Sequence, residues 1–330
     1  RDAARIGGRV LKYTLLTTII SALIGLLLFL IIQPSGYDVG VVSAALPEMA
    51  GGSYADFLLA IVPSNFVQAF SASGNVTSVV FLALLLGAAI LSLPAEQKNL
   101  LHNGFSALFS AMLAVTRFIL RLMPLGVWAF VALFVHSMAG NGSQLISLGL
   151  YVLTVLLANV LQGGIVLPLF LWWKKLSPRK MFEAFRPALA LAFVSKSSNM
   201  ALPVTLQCAQ ERAGIRSAIA KFVLPLCSTI NMNGCAAFIL ITVLFVATAH
   251  GIVVSPLDML AWVLVATVAA VGNAGVPMGC FFLTSAFLAH MKLPLHMMGV
   301  ILPLYTLLDM VETSLNVWSD SCVAAVVNKE

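Results

Sequence analysis

Apolar runs that approach or reach bilayer length recur from one end of this chain to the other. They run from Thr14 to Ile32, Val76 to Leu93, Leu145 to Trp173, Ala236 to Ala249 and Met297 to Leu308. Roughly 20 such residues in a helix cross the hydrocarbon core. With 61% hydrophobic and only 9% charged residues, the 330-residue chain lacks the polar surface that a water-soluble globule needs. The expected solvent is therefore the lipid bilayer. An all-α membrane protein is the expected fold class, because a helix satisfies its own backbone hydrogen bonds where no water can.

The formal net charge of +6 does not point to nucleic acid, because the basic residues sit in short clusters between apolar runs and form no continuous stripe. Arg1, Arg5 and Arg9 head the first run, and Lys174, Lys175, Arg179 and Lys180 fill a later loop. The stretches Pro34 to Tyr54 and His136 to Gln144 contain neither Lys nor Arg. The positive-inside rule places the first group in the cytoplasm and the second outside. Residues 10 to 173 then cross four times without conflict, and a cell inner (plasma) membrane is the expected location. The chain opens at Arg1 without a Met, so the expectation is a fragment with something missing upstream.

Five cysteines, Cys208, Cys227, Cys235, Cys280 and Cys322, lie in or beside apolar segments and form no C-x-x-C pair. They are read as small packing residues, with neither a disulfide framework nor a metal site indicated. His102, His136 and His250 likewise lack ligand spacing.

Polar, Gly-rich or Pro-bearing breaks inside apolar sequence persist only where they are buried in protein or line a cavity. Four occur in the last 150 residues or so: Ser195 to Asn199 with Pro203, Asn231 to Gly234, Gly272 to Gly279, and the series from Asp309 to Asp320. The first and third have apolar arms of about 13 to 17 residues on either side, too short for a crossing, and read as re-entrant hairpins. Each is followed by a full span with a polar break of its own, first over residues 181 to 250 and again over 256 to 327. The first hairpin opens from the cytoplasm and the second from outside. That is an inverted repeat, the layout of a secondary transporter with its binding site where the two tips meet near the midplane.

In the last span, taking Asp309 as zero and about 100° per residue, Glu312 falls near 300°, Thr313 near 40°, Asn316 near 340° and Asp320 near 20°. One face carries all five. Three carboxylates facing lipid would each cost roughly 2.5 to 3.5 kcal/mol, so the stripe is expected to face cations, donors or water.

These residues resemble the dicarboxylate/amino acid:cation (sodium) symporter family, whose archaeal member is a well-known case of an inverted-repeat transporter. The resemblance is carried by Ser195 to Asn199 with Ala-Leu-Pro-Val-Thr at 201–205, Asn231-Met232-Asn233-Gly234, Ala274-Gly275-Val276-Pro277, and Asp309-x-x-Glu312-Thr313-x-x-Asn316-x-x-x-Asp320. It runs from residue 5 to the end, and compared with the family the first two spans are absent. It implies an elevator-type carrier, usually a homotrimer. Residues 1–54 would supply a span of the moving part with an outer loop, 55–144 the static trimerisation scaffold, 145–180 a moving span and basic cytoplasmic loop, and 181–330 the transport core.

Carried over by position, Ser197 and Ser198 with the Asn316 amide would hold the substrate α-carboxylate. Asp309 with Thr313 would hold the α-ammonium, and the second tip, with Gly275 and Val276, would close as a lid. One sodium site would use Asp320 with main-chain oxygens of Cys227, Asn231 and Asn316; a second would use Thr229, Met232, Ala270 and Asn273. A third, with Thr17, Thr18, Asn231 and Asn233, is put in question because acidic-substrate members carry Asp where Asn233 stands. Sodium is thus the implied coupling ion, with a proton as the alternative if Glu312 protonates, and no organic cofactor is implied.

Glu312 stands where dicarboxylate-selective members carry an arginine, and Cys235 replaces a threonine that helps hold the same side-chain carboxylate. A second carboxylate at about 5 Å in an effective dielectric near 20 would meet roughly 3 kcal/mol of repulsion. Both changes resemble the serine/threonine:sodium branch, so a small neutral amino acid is the expected substrate. Basic amino acids stay open, as does pairing of Glu312 with Lys196. Acidic amino acids or dicarboxylates are the weaker alternative. An anion channel is disfavoured because Asp309 would hold an ammonium group too tightly for conduction. An enzyme is disfavoured because Ser197 and Ser198 lack a triad partner or metal set in the sequence.

Overall fold

A computed structural model of the chain describes residues 2–34, 62–63, 65–67, 76–138, 142–273, 275, 277–291 and 293–330. Among these residues every regular element is a helix. Four stretches are long and apolar enough to cross a membrane: Arg5–Ile32, Leu145–Trp173, Ser217–Ala249 and His296–Lys329. Two of them, Leu145–Trp173 and Ser217–Ala249, are interrupted helices.

The first span is α1 (Asp2–Ile32). After α2 (Val76–Leu91) and the 44-residue α3 (Ala95–Met138, with Pro124 inside), the second span runs as α4 (Gly142–Leu161) into α5 (Leu167–Trp173). A five-residue π-helical turn, Gln162–Val166, joins them. Nothing between Glu96 and Gly104 stops a helix, so α3 begins directly after Pro94. The outer loop expected up to Tyr54 lies outside the described residues from 35 onward.

Two short-linked helix pairs follow, each with arms too short to span. The first is α6 (Pro178–Ser195) and α7 (Ser198–Gln207), packed on each other. Ser177 caps α6 by accepting from the Lys180 amide, with Pro at the first helical position, where its missing N–H costs nothing. Lys196 ends α6 in the left-handed region at φ 54°, and Ser197 caps α7 through the Met200 amide. The chain then passes through a π turn at Cys208–Arg212 into α8 (Ser217–Ile230) and α9 (Asn233–Ala249). The second pair is α10 (Pro256–Val271), opened by a Ser255/Asp258 capping box, and α11 (Gly279–His290). The last span is α12 (His296–Lys329).

Two separate hydrophobic cores hold these elements. One gathers the middle of α1, α4, α9, α10, α11 and the first third of α12 up to Leu308. The other gathers the start of α1, α5, α6, α7, α8 and α12 from Leu315 onward. Each helix pair thus belongs to its own core. The broken span passes from one core to the other at Asn231-Met232, and α12 does so between Asp309 and Asn316. Asn231, Met232, Asp309, Glu312 and Thr313 therefore lie where the cores meet, whereas Asn316 and Asp320 lie along the second core.

The cytoplasm-directed ends expected from the charge pattern converge at the end of α12. Glu330 meets Lys174 at 2.7 Å and Arg9 at 3.6 Å, and the Tyr13 hydroxyl donates to it at 2.6 Å. Lys329 Nζ donates to the carbonyls of Lys174 and Lys175. Hydrogen bonds to Glu330 and Tyr13 raise the Lys174 pKa. Partial burial pushes the Glu330 carboxyl up, but the bonds from Lys174 and Tyr13 outweigh it and leave its pKa lowered.

Candidate functional site

The helical arithmetic for the last span holds in three dimensions, with Asp309, Glu312, Thr313, Asn316 and Asp320 all buried on α12. The backbone just before α11 reaches one of them directly: the Met278 amide donates to Asp309 Oδ2 at 3.2 Å. Met278 holds a left-handed φ of 60° while doing so. Thr313 Oγ1 donates to Asp309 Oδ1 at 3.4 Å. Tyr305, one turn before Asp309, lies within reach of both acids, 3.5 Å from Asp309 Oδ1 and 3.4 Å from Glu312 Oε2. Its ring is held by Phe238 and Phe281, with centroids at 4.5 and 5.5 Å.

Glu312 Oε1 is buried and has no hydrogen-bond partner among the described residues. No ion pair joins Glu312 to Lys196 among them either. A buried carboxylate with one long bond is incompletely compensated, so this oxygen is an acceptor waiting for a donor.

The two tips touch, since Ser197 Oγ donates to the Gly275 carbonyl at 3.2 Å. Ser198 is buried beside it. Gly275 has φ +65°, and a Cβ there would stand 2.6 Å from the Ser228 carbonyl, so only glycine fits. Val276, assigned to the same lid, lies outside the described residues. Asn316 is held at both ends of its amide. Its Oδ1 accepts from the Gly234 amide at 2.9 Å, satisfying one of the orphan donors at the start of α9, while its Nδ2 faces Cys235 Sγ at 3.4 Å. Gly234 permits this approach; a Cβ would sit 2.9 Å from Glu312 Cα and from Asn159 Oδ1.

Of the first cation set, Asp320 Oδ1 accepts from Asn231 Nδ2 at 3.0 Å, and the Cys227 carbonyl accepts from the Asn231 amide at 2.8 Å. Of the second, Met232, Ala270 and Asn273 come together: the Asn273 amide bonds the Ala270 carbonyl, and its side chain lies 3.9 Å from Met232 Sδ. Thr229 instead donates to Leu226 on its own helix. The third set is joined by residues that the sequence does not single out. Asn233 Nδ2 donates to Ser319 Oγ at 2.7 Å and to Asn231 Oδ1 at 2.9 Å. Gln162, from the π turn, donates to Asn233 Oδ1 at 2.7 Å and to the Thr17 carbonyl at 3.0 Å. Thr18 Oγ1 and Gln162 Oε1 are buried and unpartnered among the described residues.

The expectation for the cysteines needs correction. Cys208, Cys227 and Cys322 are buried free thiols, but Cys235 on α9 and Cys280 on α11 are joined as a disulfide, with Cα atoms 5.6 Å apart and 45 residues between them in sequence. A pair formed by two elements folding together leaves no short-spacing signal. The roles of Cys280, Tyr305, Gln162 and Ser319 are invisible in the sequence for that reason.

The sequence profile of the sodium:dicarboxylate symporter family matches residues 1–330. The chain belongs to that family. As a member of the sodium:dicarboxylate symporter family it is a membrane transporter and not an enzyme. Among curated relatives, neutral amino acid transporter A of Homo sapiens is 28% identical over 366 residues, covering 98% of this chain and 68% of the relative. Neutral amino acid transporter B(0) of Oryctolagus cuniculus is 29% identical over 359 residues, covering 98% of this chain and 66% of the relative. The symporter-family chain thus spans about two thirds of the length of these relatives.

Proposed function

We propose that this chain is a sodium-coupled amino acid symporter, with its transport core over residues 181–330, whose substrate is small, neutral and hydroxyl-bearing, of the serine or threonine class. The observation that carries the reading is the acid pair Asp309 and Glu312 at the seam of the two cores, with Glu312 Oε1 unpartnered among the described residues. Asp309, with Thr313 beside it, offsets the α-ammonium. Ser197, Ser198 and the first turn of α7 receive the α-carboxylate, where helix N-terminal amides favour an anion. A substrate hydroxyl donates to Glu312, whereas a substrate carboxylate is repelled by it. The relatives whose names specify neutral amino acids support the same direction.

Sodium is the coupling ion on this reading. The Asp320 and Asn231 cluster, and the Met232, Ala270 and Asn273 cluster beneath the second tip, offer the oxygens of an interrupted helix that suit a hard monovalent cation. The two short-armed pairs act as re-entrant hairpins, with Gly275 and Met278 in a lid that closes on Asp309. Hairpins and last spans move together in an elevator against a homotrimeric scaffold at the plasma membrane.

The test is binding of serine, threonine, alanine, lysine, glutamate and aspartate to the purified protein, read as thermal stabilisation with sodium present and absent. Sodium-dependent stabilisation by serine or threonine supports the reading. Stabilisation by aspartate or glutamate in their place overturns the assignment of Glu312.

A further inference from the structure

We propose that Cys235, Cys280 and Glu312, when the cysteines are reduced, form a binding site for one thiophilic divalent cation of the zinc or cadmium type, across the contact between α9 and the second helix pair. The three side chains come from three elements, all are buried, and their ligand atoms lie within 4.8 Å of one another. Two thiolates and one carboxylate form a donor set that such ions take tetrahedrally, with sulfur about 2.3 Å from the metal and the two sulfurs therefore about 3.8 Å apart. Cα atoms 5.6 Å apart leave room for that separation by side-chain rotation alone.

Two independent features point to a ligand here. Glu312 Oε1 is buried without a partner among the described residues. Asn273 Nδ2 faces both sulfurs, at 3.1 Å from Cys235 and 3.3 Å from Cys280, the outer-shell N–H contact that orients metal ligands and stabilises their negative charge. The fourth position is left for water or a substrate group.

The disulfide must open first. A dithiol or phosphine reductant supplies two electrons, the S–S bond breaks, and each sulfur takes one proton. Metal capture then displaces both protons as the two thiolates bind. A bound ion would join α9 to α11 and occupy the Glu312 oxygen, so it excludes a substrate side chain. Only this last point rests on the role given to Glu312 above; metal capture itself does not depend on which amino acid is carried.

The experiment loads phosphine-reduced, purified protein with Cd2+, removes free ion, and measures bound cadmium with the ultraviolet thiolate-to-metal absorption. One ion per chain is expected, with the absorption band, and both are lost in Cys280→Ser. Serine at saturation with sodium should slow Cd2+ loading in the wild type. If Cys280→Ser is not recovered folded, protection of Cys235 and Cys280 from alkylation by Cd2+ in the wild type, mapped by mass spectrometry, gives the same answer. No bound ion in protein whose five cysteines all titrate as thiols overturns the proposal. So does cadmium retained by Cys280→Ser, absence of protection, or a pair that resists reduction and serves as a fixed staple. Failure of serine to slow loading, with cadmium bound as expected, overturns the exclusion of substrate alone.

Discussion

Replacing Glu312 by glutamine keeps the side-chain volume and removes one charge from the seam between the cores. The wild-type carboxylate is buried, touches Tyr305 at 3.4 Å, and has its second oxygen unpartnered among the described residues. A substrate hydroxyl donating to it forms a charge-assisted hydrogen bond worth about 1.5 to 3 kcal/mol, so serine affinity should fall roughly 10- to 100-fold in Glu312→Gln. The same substitution lifts the repulsion on an acidic side chain, about 3 kcal/mol at ~5 Å and an effective dielectric near 20, so aspartate affinity should rise on the order of a hundredfold and the aspartate-to-serine ratio by roughly 1,000- to 10,000-fold. The assay is calorimetric titration of each amino acid into purified protein at saturating sodium. Thermal stability without substrate serves as the control; it should not fall, because an amide at this position no longer carries an incompletely paired buried charge. A serine affinity changed by less than about threefold, with aspartate still excluded, would refute the assignment.

Three further outcomes follow from the geometry. Gly234→Ala forces a methyl to 2.9 Å from Glu312 Cα and should cost about 1 to 3 kcal/mol of stability; Gly25→Ala, whose methyl meets Ala237 Cα at 3.4 Å, is the tolerated comparison in the same thermal assay. Asp320→Asn removes the charged acceptor of Asn231 and should weaken sodium at least ~10-fold in sodium-dependent stabilisation, while an unchanged sodium midpoint would count against that site. Glu330→Gln should cost no more than ~1 kcal/mol, since the Lys174 pair is partly solvated. Because the folded Glu330 pKa is lowered, that increment is present above the ordinary glutamate range and disappears as pH falls through the folded pKa. Wild type and variant should therefore converge in stability at acid pH.

The features legible in the sequence are those set by period or by local chemistry. A 100° turn per residue places Asp309, Glu312, Thr313, Asn316 and Asp320 on one face without reference to any other element. The breaks at Lys196-Ser197 and Asn231-Met232 can be read because serine caps and asparagines announce where a helix stops. What a side chain meets across the seam cannot be read in this way. Tyr305 looks like any aromatic in an apolar span until its hydroxyl is seen between two carboxylates. The Gly234 amide that donates to the Asn316 oxygen lies 82 residues away in sequence and leaves no local signal. Cys235 and Cys280 become partners only through the folding of α11 against α9.

The π turn at Gln162–Val166 makes the second span sensitive to residue count. It accommodates an i→i+5 bond, from the Leu167 amide to the Gln162 carbonyl. The widened turn carries Gln162 to Asn233 and leaves the Gly163 carbonyl to accept from Trp318 Nε1 at 3.1 Å. Deleting one residue there would restore a regular α-helix with α5 close to its present orientation, and would close the widened turn that these two contacts use. Leu167, Phe170 and Leu171 would stay in the second core, with Trp172 and Trp173 on the outside, while the Gly163 carbonyl would lose its opening to Trp318. Loss of that one residue should therefore show first in the contacts of Asn233 and Trp318, and only later in the packing of α5.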